Sequence, residues 1–395
     1  MNINKNVVVT FNAFLLSPFL SIPFLLIQLK KGIDTGICLI ISLLAGIFSM
    51  LYIPNFTNDK VRYIERFEVF SKFTFSDFVS YFSDNSIPDY IFNSLIYSFS
   101  KLHLDIKYLF FLLTFLSVYL TLSAIKRIIN RLSDESFIYS ISVLLLVIFS
   151  FSLVNMLSGL RFFLGGSFFI WFIYFLYFDR KYAKAILVLL LSVLTHFSYA
   201  FMALAAIFAL MNPPLRILRI SLILSSFFLI APSSLFESIF SVIDLPVGYS
   251  NKVEVYTSIE IEYSGNFLVL SYIKNIWYYL AFLYLILSKE TENNRFYILL
   301  VCFLILINIT YPIPVIFNRY IGYFKIVFVT YLIYMIKTYN IRKPAFYLLY
   351  FLCLISFLVE IFVLRNNILE SYQISEMWNI FHILLKEQES LRFIY

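Results

Sequence analysis

Two arginines and a histidine interrupt long apolar stretches of this sequence. Arg161 follows Asn155-Met156-Leu157-Ser158-Gly159-Leu160, where one apolar run ends and the next opens. Ionisable groups at membrane depth are costly, so each is a candidate for function. A guanidinium near a helix N-terminus can clamp a diphosphate through paired donors. The same side chain can also snorkel to lipid headgroups. Gly165, one turn further on, and Gly166 leave room for a ligand or a second helix. His196 breaks the apolar segment 185–210 within Thr195-His196-Phe197-Ser198. A neutral imidazole there can be a general base, a donor to a phosphate, or a packing histidine bonded to a carbonyl. Asn318-Arg319-Tyr320 follows Tyr311-Pro312-Ile313-Pro314. A helix starting there puts Asn318, Gly322 and Lys325 on one face. Arg319 and Lys325 would then add a second basic lobe, or mark a membrane boundary. Lys274 and Glu360 also lie inside apolar runs, near enough to their ends to snorkel.

A polar segment holds Asp59, Arg62, Tyr63, Glu65, Arg66 and Glu68. A carboxylate there could take the proton of a sugar hydroxyl; the run reads equally as a solvated face. Val61, Ile64, Phe67 and Phe70 recur every three positions, which predicts an amphipathic helix on a membrane surface. No zinc spacing, HExxH or Walker loop is present, so neither metal nor cofactor is expected. Cys38, Cys302 and Cys353 sit inside apolar runs and read as small buried residues.

The scaffold for these groups follows from composition. Of 395 residues, 61% are hydrophobic and 13% charged, about half the charge of a soluble domain. The apolar residues come in runs of about 20, long enough to cross a bilayer as helices. Spans are expected near 7–29, 33–53, 104–125, 137–157, 162–178, 217–232, 266–287, 296–317, 320–336 and 346–364, with 90–101 too short to cross. Basic clusters fall at Lys30-Lys31, Lys126-Arg127 with Arg131, Arg180-Lys181 with Lys184, Arg216 with Arg219, Lys289 with Arg295, and Lys337 with Arg342-Lys343. The positive-inside rule puts all of them in the cytoplasm, provided that 185–210 is a broken pair turning at His196. The net charge of +7 is thus a topology signal and implies no nucleic-acid partner. Both termini are then outside, as are segments 54–103 and 233–265. The tail beyond 366 places Met377, Phe381 and Leu384 on one helical face, for a surface helix. The predicted architecture is all-α: one polytopic transmembrane helical bundle over 1–395, with about ten to twelve spans and outward-facing amphipathic segments.

The order of these motifs resembles the EpsG/Wzy-type family of O-antigen and capsule repeat-unit polymerases. An Asp/Arg/Tyr segment follows the early spans. Gly159-Leu160-Arg161 opens a later helix, Asp179-Arg180-Lys181 forms a basic turn, Thr195-His196-Phe197-Ser198 follows, and Asn318-Arg319-Tyr320 lies near the end. The family's usual Gly-Asp-x-x-x-Tyr is here Asn58-Asp59-Lys60-Val61-Arg62-Tyr63. The resemblance implies a glycosyltransferase of the bacterial cytoplasmic (inner) membrane, facing the periplasm or exterior. Its substrates would be undecaprenyl-diphosphate-linked oligosaccharides, with membrane lipid, a chain-length regulator and a flippase as partners. In that reading His196, Arg161 and Arg319 carry catalysis without a metal, and Asp59, Arg62, Tyr63, Asn318 and Lys325 bind substrate. A flippase or transporter of lipid-linked sugars, and another membrane transferase such as a ligase or an acyltransferase, are the alternatives.

Overall fold

The computed structural model describes residues 5–29, 33–55, 58–85, 89–129, 137–232, 234, 265–288, 294–339, 343–372 and 379–385, and these are almost entirely helical. In chain order the helices are α1 (Lys5–Leu16), α2 (Ser21–Leu29), α3 (Thr35–Leu51), α4 (Asp59–Lys72), α5 (Phe75–Asn85), α6 (Tyr90–Lys101), α7 (Ile106–Ile129), α8 (Phe137–Ser150), α9 (Leu153–Leu157), α10 (Leu160–Ile173), α11 (Tyr182–Thr195), α12 (Tyr199–Leu210), α13 (Leu215–Ser225), α14 (Asn266–Leu287), α15 (Arg295–Thr310), α16 (Pro314–Tyr339), α17 (Lys343–Val363), α18 (Arg365–Ser371) and α19 (Ile380–Leu385). A π-helical turn, Tyr174–Asp179, continues α10. Most of segment 233–265, and residues Lys30, Lys31, Arg131, Lys289, Arg342 and Met377, lie outside the described residues.

Among the described residues, four helices are by themselves long and apolar enough to cross a membrane: α7, α10 with its π turn, α14 and α16. A fifth is the pair α17 and α18, bent by 68°, if it counts as one span. Length and composition therefore yield four to five spans, and the other apolar runs appear as helices of 9–17 residues. Two expected spans are divided. The run 7–29 becomes α1 and α2, which turn back at Ser17-Pro18 and lie antiparallel, with Thr10 donating to Gln28 at 3.3 Å. Proline lacks the N–H that would continue the helix. The run 137–157 breaks between α8 and α9. The segment 185–210 is a pair, α11 and α12, turning at His196 as the charge pattern requires.

Helix direction sorts the charges. Lys126, near the end of α7, donates to Thr35 at the start of α3, 3.0 Å away. Arg219 of α13 donates to the Ser288 carbonyl after α14, 2.6 Å away. Arg180, Lys181 and Lys184 sit between α10 and α11, and Arg295 opens α15. All of these lie at one end of the bundle. Arg161, His196 and Arg319 lie at the other, because α10 and α16 begin there and α11 ends there. The start of α1 is at the basic end, since a Cβ on Gly36 would touch Val7. The run 7–29, expected as one span, is instead a hairpin that starts and finishes at the basic end.

The amphipathic expectation for α4 is corrected as well. Its residues Tyr63, Ile64 and Phe70 are buried against Phe92 and Ile96 of α6, Phe110 and Leu113 of α7, and Leu164 of α10. Protein, not lipid, covers that face, and α4, α5 and α6 form a cap over one end of the bundle. In α19, Ile380 and Ile383 pack on Phe14, Ile47 and Met50; of the expected face Leu384 packs there too, while Phe381 is exposed.

Lys60 fastens this cap. The last carbonyls of a helix lack intrahelical donors. Lys60 Nζ donates to Ser49 O and Tyr52 O, each at 2.6 Å, beside the Phe110 ring. Burial pushes its amine down to about 7. A neutral amine has two N–H donors, and it meets two carbonyls. Between about 7 and the unperturbed 10.5 the unfolded chain holds a proton that the folded chain lacks. Stability therefore rises with pH across that window and falls toward its lower end. Thermal unfolding of the detergent-purified protein should show this rise, and Lys60→Met should flatten it. An equal slope in both proteins would refute the assignment.

Candidate functional site

Gly159 caps α10, and Arg161 is the second residue of that helix. Its guanidinium needs a buried anion, since burying an unpaired charge costs several kcal/mol. Asp89, which caps the start of α6, supplies it: Arg161 Nη1 donates to Asp89 Oδ2 at 2.5 Å, with side chains 12% and 1% exposed. The other oxygen, Oδ1, accepts from the Phe197 backbone N–H at 3.4 Å. One carboxylate thus joins α6, the start of α10 and the turn between α11 and α12.

His196 ends α11 in extended backbone, its N–H closing the last turn onto Ser192 O at 2.9 Å. The ring is buried beside Phe162, 5.4 Å between centroids. Its Nδ1 lies 3.3 Å from the Ser198 N–H and 2.7 Å from Ser198 Oγ. A backbone N–H only donates, so Nδ1 accepts, and a neutral ring carries its proton on Nε2. Nε2 is then a donor. With this tautomer the ring packs against Phe162 and can donate through Nε2. Tyr320 of α16 donates to the Ser198 carbonyl at 2.9 Å, tying the turn to the helix that carries Arg319.

Arg319 Nη2 donates to Asp59 Oδ2 at 2.5 Å. Arg62, 61% exposed, approaches the other Asp59 oxygen at 3.5 Å, a loose pair within α4. One turn along α4, Tyr63 is buried, and its hydroxyl has no hydrogen-bond partner among the described residues. Burial, then Asp59, push that hydroxyl well above its ordinary range, while Arg161, Arg319 and Arg66 oppose them. Arg66 Nη1 donates to Asn93 Oδ1 at 2.7 Å, and Asn93 stands one turn after Asp89. Three guanidiniums, Arg62, Arg161 and Arg319, therefore meet two carboxylates, and a fourth, Arg66, joins Arg161, Arg319 and Asp59 in acting on the buried Tyr63 hydroxyl. The surplus of positive charge suits an anionic ligand.

Arg161, His196, Arg319, Asp59, Arg62 and Tyr63 are brought together. Lys325 is not: it lies deeper in α16, donating to Ser356 at 2.9 Å near the Trp277 ring. Asn318 is half-buried in the first turns of α16. Sequence reasoning missed Asp89 and Asn93. Their signal was an Asp at the head of an aromatic segment with an Asn four residues on, which puts both on one helical face.

The glycines of α10 admit helices. A Cβ on Gly165 would lie 2.7 Å from the Tyr199 ring, and one on Gly166 would lie 2.6 Å from Tyr199 Oη and 2.8 Å from the Tyr323 ring. Tyr199 in turn donates to Phe162 O at 2.8 Å. Overpacking such a contact typically costs about 1–3 kcal/mol. Gly166→Ala should therefore lower the unfolding temperature in detergent and separate α12 and α16 from α10. An unchanged unfolding temperature would refute the close approach.

No curated protein and no solved structure matches this chain. The model of one protein family, described as the EpsG family, matches residues 35–374 and so takes in the cap, the broken pair and both arginine-bearing helices. The apolar helices make this a membrane protein, and the chain belongs to the EpsG family.

Proposed function

We propose that the chain is a membrane glycosyltransferase that polymerises polysaccharide repeat units, of O-antigen or capsule, on the outer face of the bacterial cytoplasmic membrane. The observation that carries this reading is the meeting of Arg161 and Arg319, 158 positions apart in the chain, on two carboxylates around Tyr63. Family membership supports the same class of reaction. In this reading the bundle crosses the membrane about ten to twelve times, the short apolar helices completing the count, and the arginine end faces out.

The growing chain leaves its undecaprenyl diphosphate as the acceptor hydroxyl of the next lipid-linked unit attacks the anomeric carbon. One C–O bond forms and the bond to the diphosphate breaks. The diphosphate departs as an anion on Arg161 and Arg319, whose planar forks match phosphate oxygens. His196 Nε2 orients a reacting oxygen by donation. The proton of the acceptor hydroxyl passes to a carboxylate; Asp59, 17% exposed, is more accessible than Asp89 at 1%. Arg62 and Tyr63 line the acceptor side, and Asn318 lies on the helix of Arg319. Catalysis draws its charge stabilisation from guanidinium groups, without a metal. A flippase and a chain-length regulator are the protein partners this reaction implies.

Three outcomes are expected. Single cysteines at Ser83 on α5 and Ala183 on α11 should label oppositely with an impermeant reagent in intact spheroplasts, Ser83 reacting and Ala183 not. Reversed labelling would place the arginine end in the cytoplasm and remove the proposal. Deleting the gene should collapse the surface glycolipid ladder to one repeat; loss of all surface repeats would indicate a flippase instead. In the deleted strain, Arg161→Lys, His196→Ala and Arg319→Ala should fail to restore the ladder at normal membrane abundance. Losing one donor from such a site typically costs about a hundredfold to a thousandfold in rate. Lys325→Ala should be milder, since Lys325 stands apart from the cluster. Full ladders from the first three variants would refute the site.

A further inference from the structure

The mechanism above leaves a buried ion pair unused. Glu360 of α17 lies 3.3 Å from Lys274 of α14 through Oε1. Its other oxygen, Oε2, accepts from the Leu153 N–H at 2.6 Å, at the first residue of α9. That donor is one a helix cannot satisfy internally. Helix α9 has five residues, too few to hold a conformation alone, so its partners position it. Thr114 of α7 donates to Met156 O at 3.2 Å. Gly322 of α16 lets α9 in close, where a Cβ would lie 3.1 Å from Asn155 Nδ2. Gly322 is one turn past Arg319, and α9 runs within four residues into Arg161. This short helix therefore lies between the two arginines along the fold, and its N-terminus is held from a third helix.

We propose that Glu360 is a positioning residue for Arg161. It anchors α9 through the Leu153 N–H, and α9 sets the place of Arg161 relative to Arg319. The assignment rests on the polymerase reading. Lys274 balances the charge of this carboxylate.

The test is a double-mutant cycle on protein reconstituted with lipid-linked repeat units. Misplacing a catalytic group by about 1 Å from afar can cost about a hundredfold in rate. Glu360→Ala should lower kcat by about that factor with little change in KM for the acceptor. Glu360→Gln, whose amide oxygen can still accept from Leu153, should stay near wild type. Leu153→Pro removes the donor itself. Proline suits the first position of a helix, and Ser152 before it is already extended at φ −80° and ψ 118°. Leu153→Pro should match Glu360→Ala, and the two together should be no worse than one. Either change combined with Arg161→Lys should add little to Arg161→Lys alone, because all act through one group. Losses that multiply with Arg161→Lys, or a Gln variant as poor as Ala, would overturn the positioning role while the polymerase reading stands. Should Glu360→Ala not reach normal membrane abundance, Leu153→Pro carries the same comparison. Wild-type protein that elongates no lipid-linked unit overturns the polymerase reading itself, and this role with it.

Discussion

A guanidinium keeps its charge at any accessible pH, so a fold that buries one must carry an anion to it. Here that requirement joins the parts of the molecule. Arg161 belongs to the bundle and Asp89 to the cap; Arg319 belongs to the bundle and Asp59 to the cap. Each pair crosses the same seam, with the Arg66–Asn93 contact between the two cap helices. Removing either partner leaves a buried charge, a loss larger than the net contribution of the pair when intact. Two charge pairs across one seam therefore hold the cap in place. Apolar packing of Tyr63, Phe70 and Phe92 beneath it adds area but little direction, since aromatic clusters accept many arrangements.

The second constraint is the backbone. Every helix that stops inside the bundle exposes donors or acceptors that lipid cannot satisfy. The turn at His196 spends Ser192 O on the histidine N–H, Ser198 N–H on Nδ1, Phe197 N–H on Asp89 and Ser198 O on Tyr320. The start of α9 spends Leu153 N–H on Glu360, and the end of α3 spends its carbonyls on Lys60. Polar side chains that look functional in an apolar sequence thus divide into two kinds. Some complete a broken helix, as Lys60 and Glu360 do. Others, like Arg161 and Arg319, pair across the seam between cap and bundle. His196 belongs to the first kind through Nδ1, which accepts from the Ser198 N–H.

Much of this was legible in the sequence, and the gaps have physical causes. The basic runs predict the turn at His196, because only a pair that returns keeps Arg180 and Arg216 at the same end. Arg161, Arg319 and Tyr63 announce themselves as polar groups beside apolar runs. Asp89 does not, because an Asp heading a helix normally reads as a cap, and its pairing with Arg161 spans 72 positions that no local pattern records. The division of 7–29 was visible in Pro18 and Pro23, but a count of apolar length outweighs two prolines. The face of α4 was found correctly and its partner was not: hydrophobic periodicity says which residues are buried, and is silent on whether lipid or protein buries them.

The same pairs bear on how such a site can both be stable and bind. A carboxylate on a guanidinium holds the fork in its binding geometry while the site is unoccupied, which lowers the ordering cost a ligand must meet. It also competes with the ligand for the same donors. Arg161 and Arg319 each carry five N–H donors in a planar fork. In the proposed reaction a diphosphate shares those forks with Asp89 and Asp59. Its negative charge then stands near Asp59 and Asp89, and the surplus of Arg62 and Arg66 offsets that repulsion. In the proposed reading, the arginine excess at this end lets one cluster be neutral enough to fold around and positive enough to attract an anion. Helix α9 then adds a geometric condition, since donors on α10 and α16 serve one ligand only while the distance between them is held.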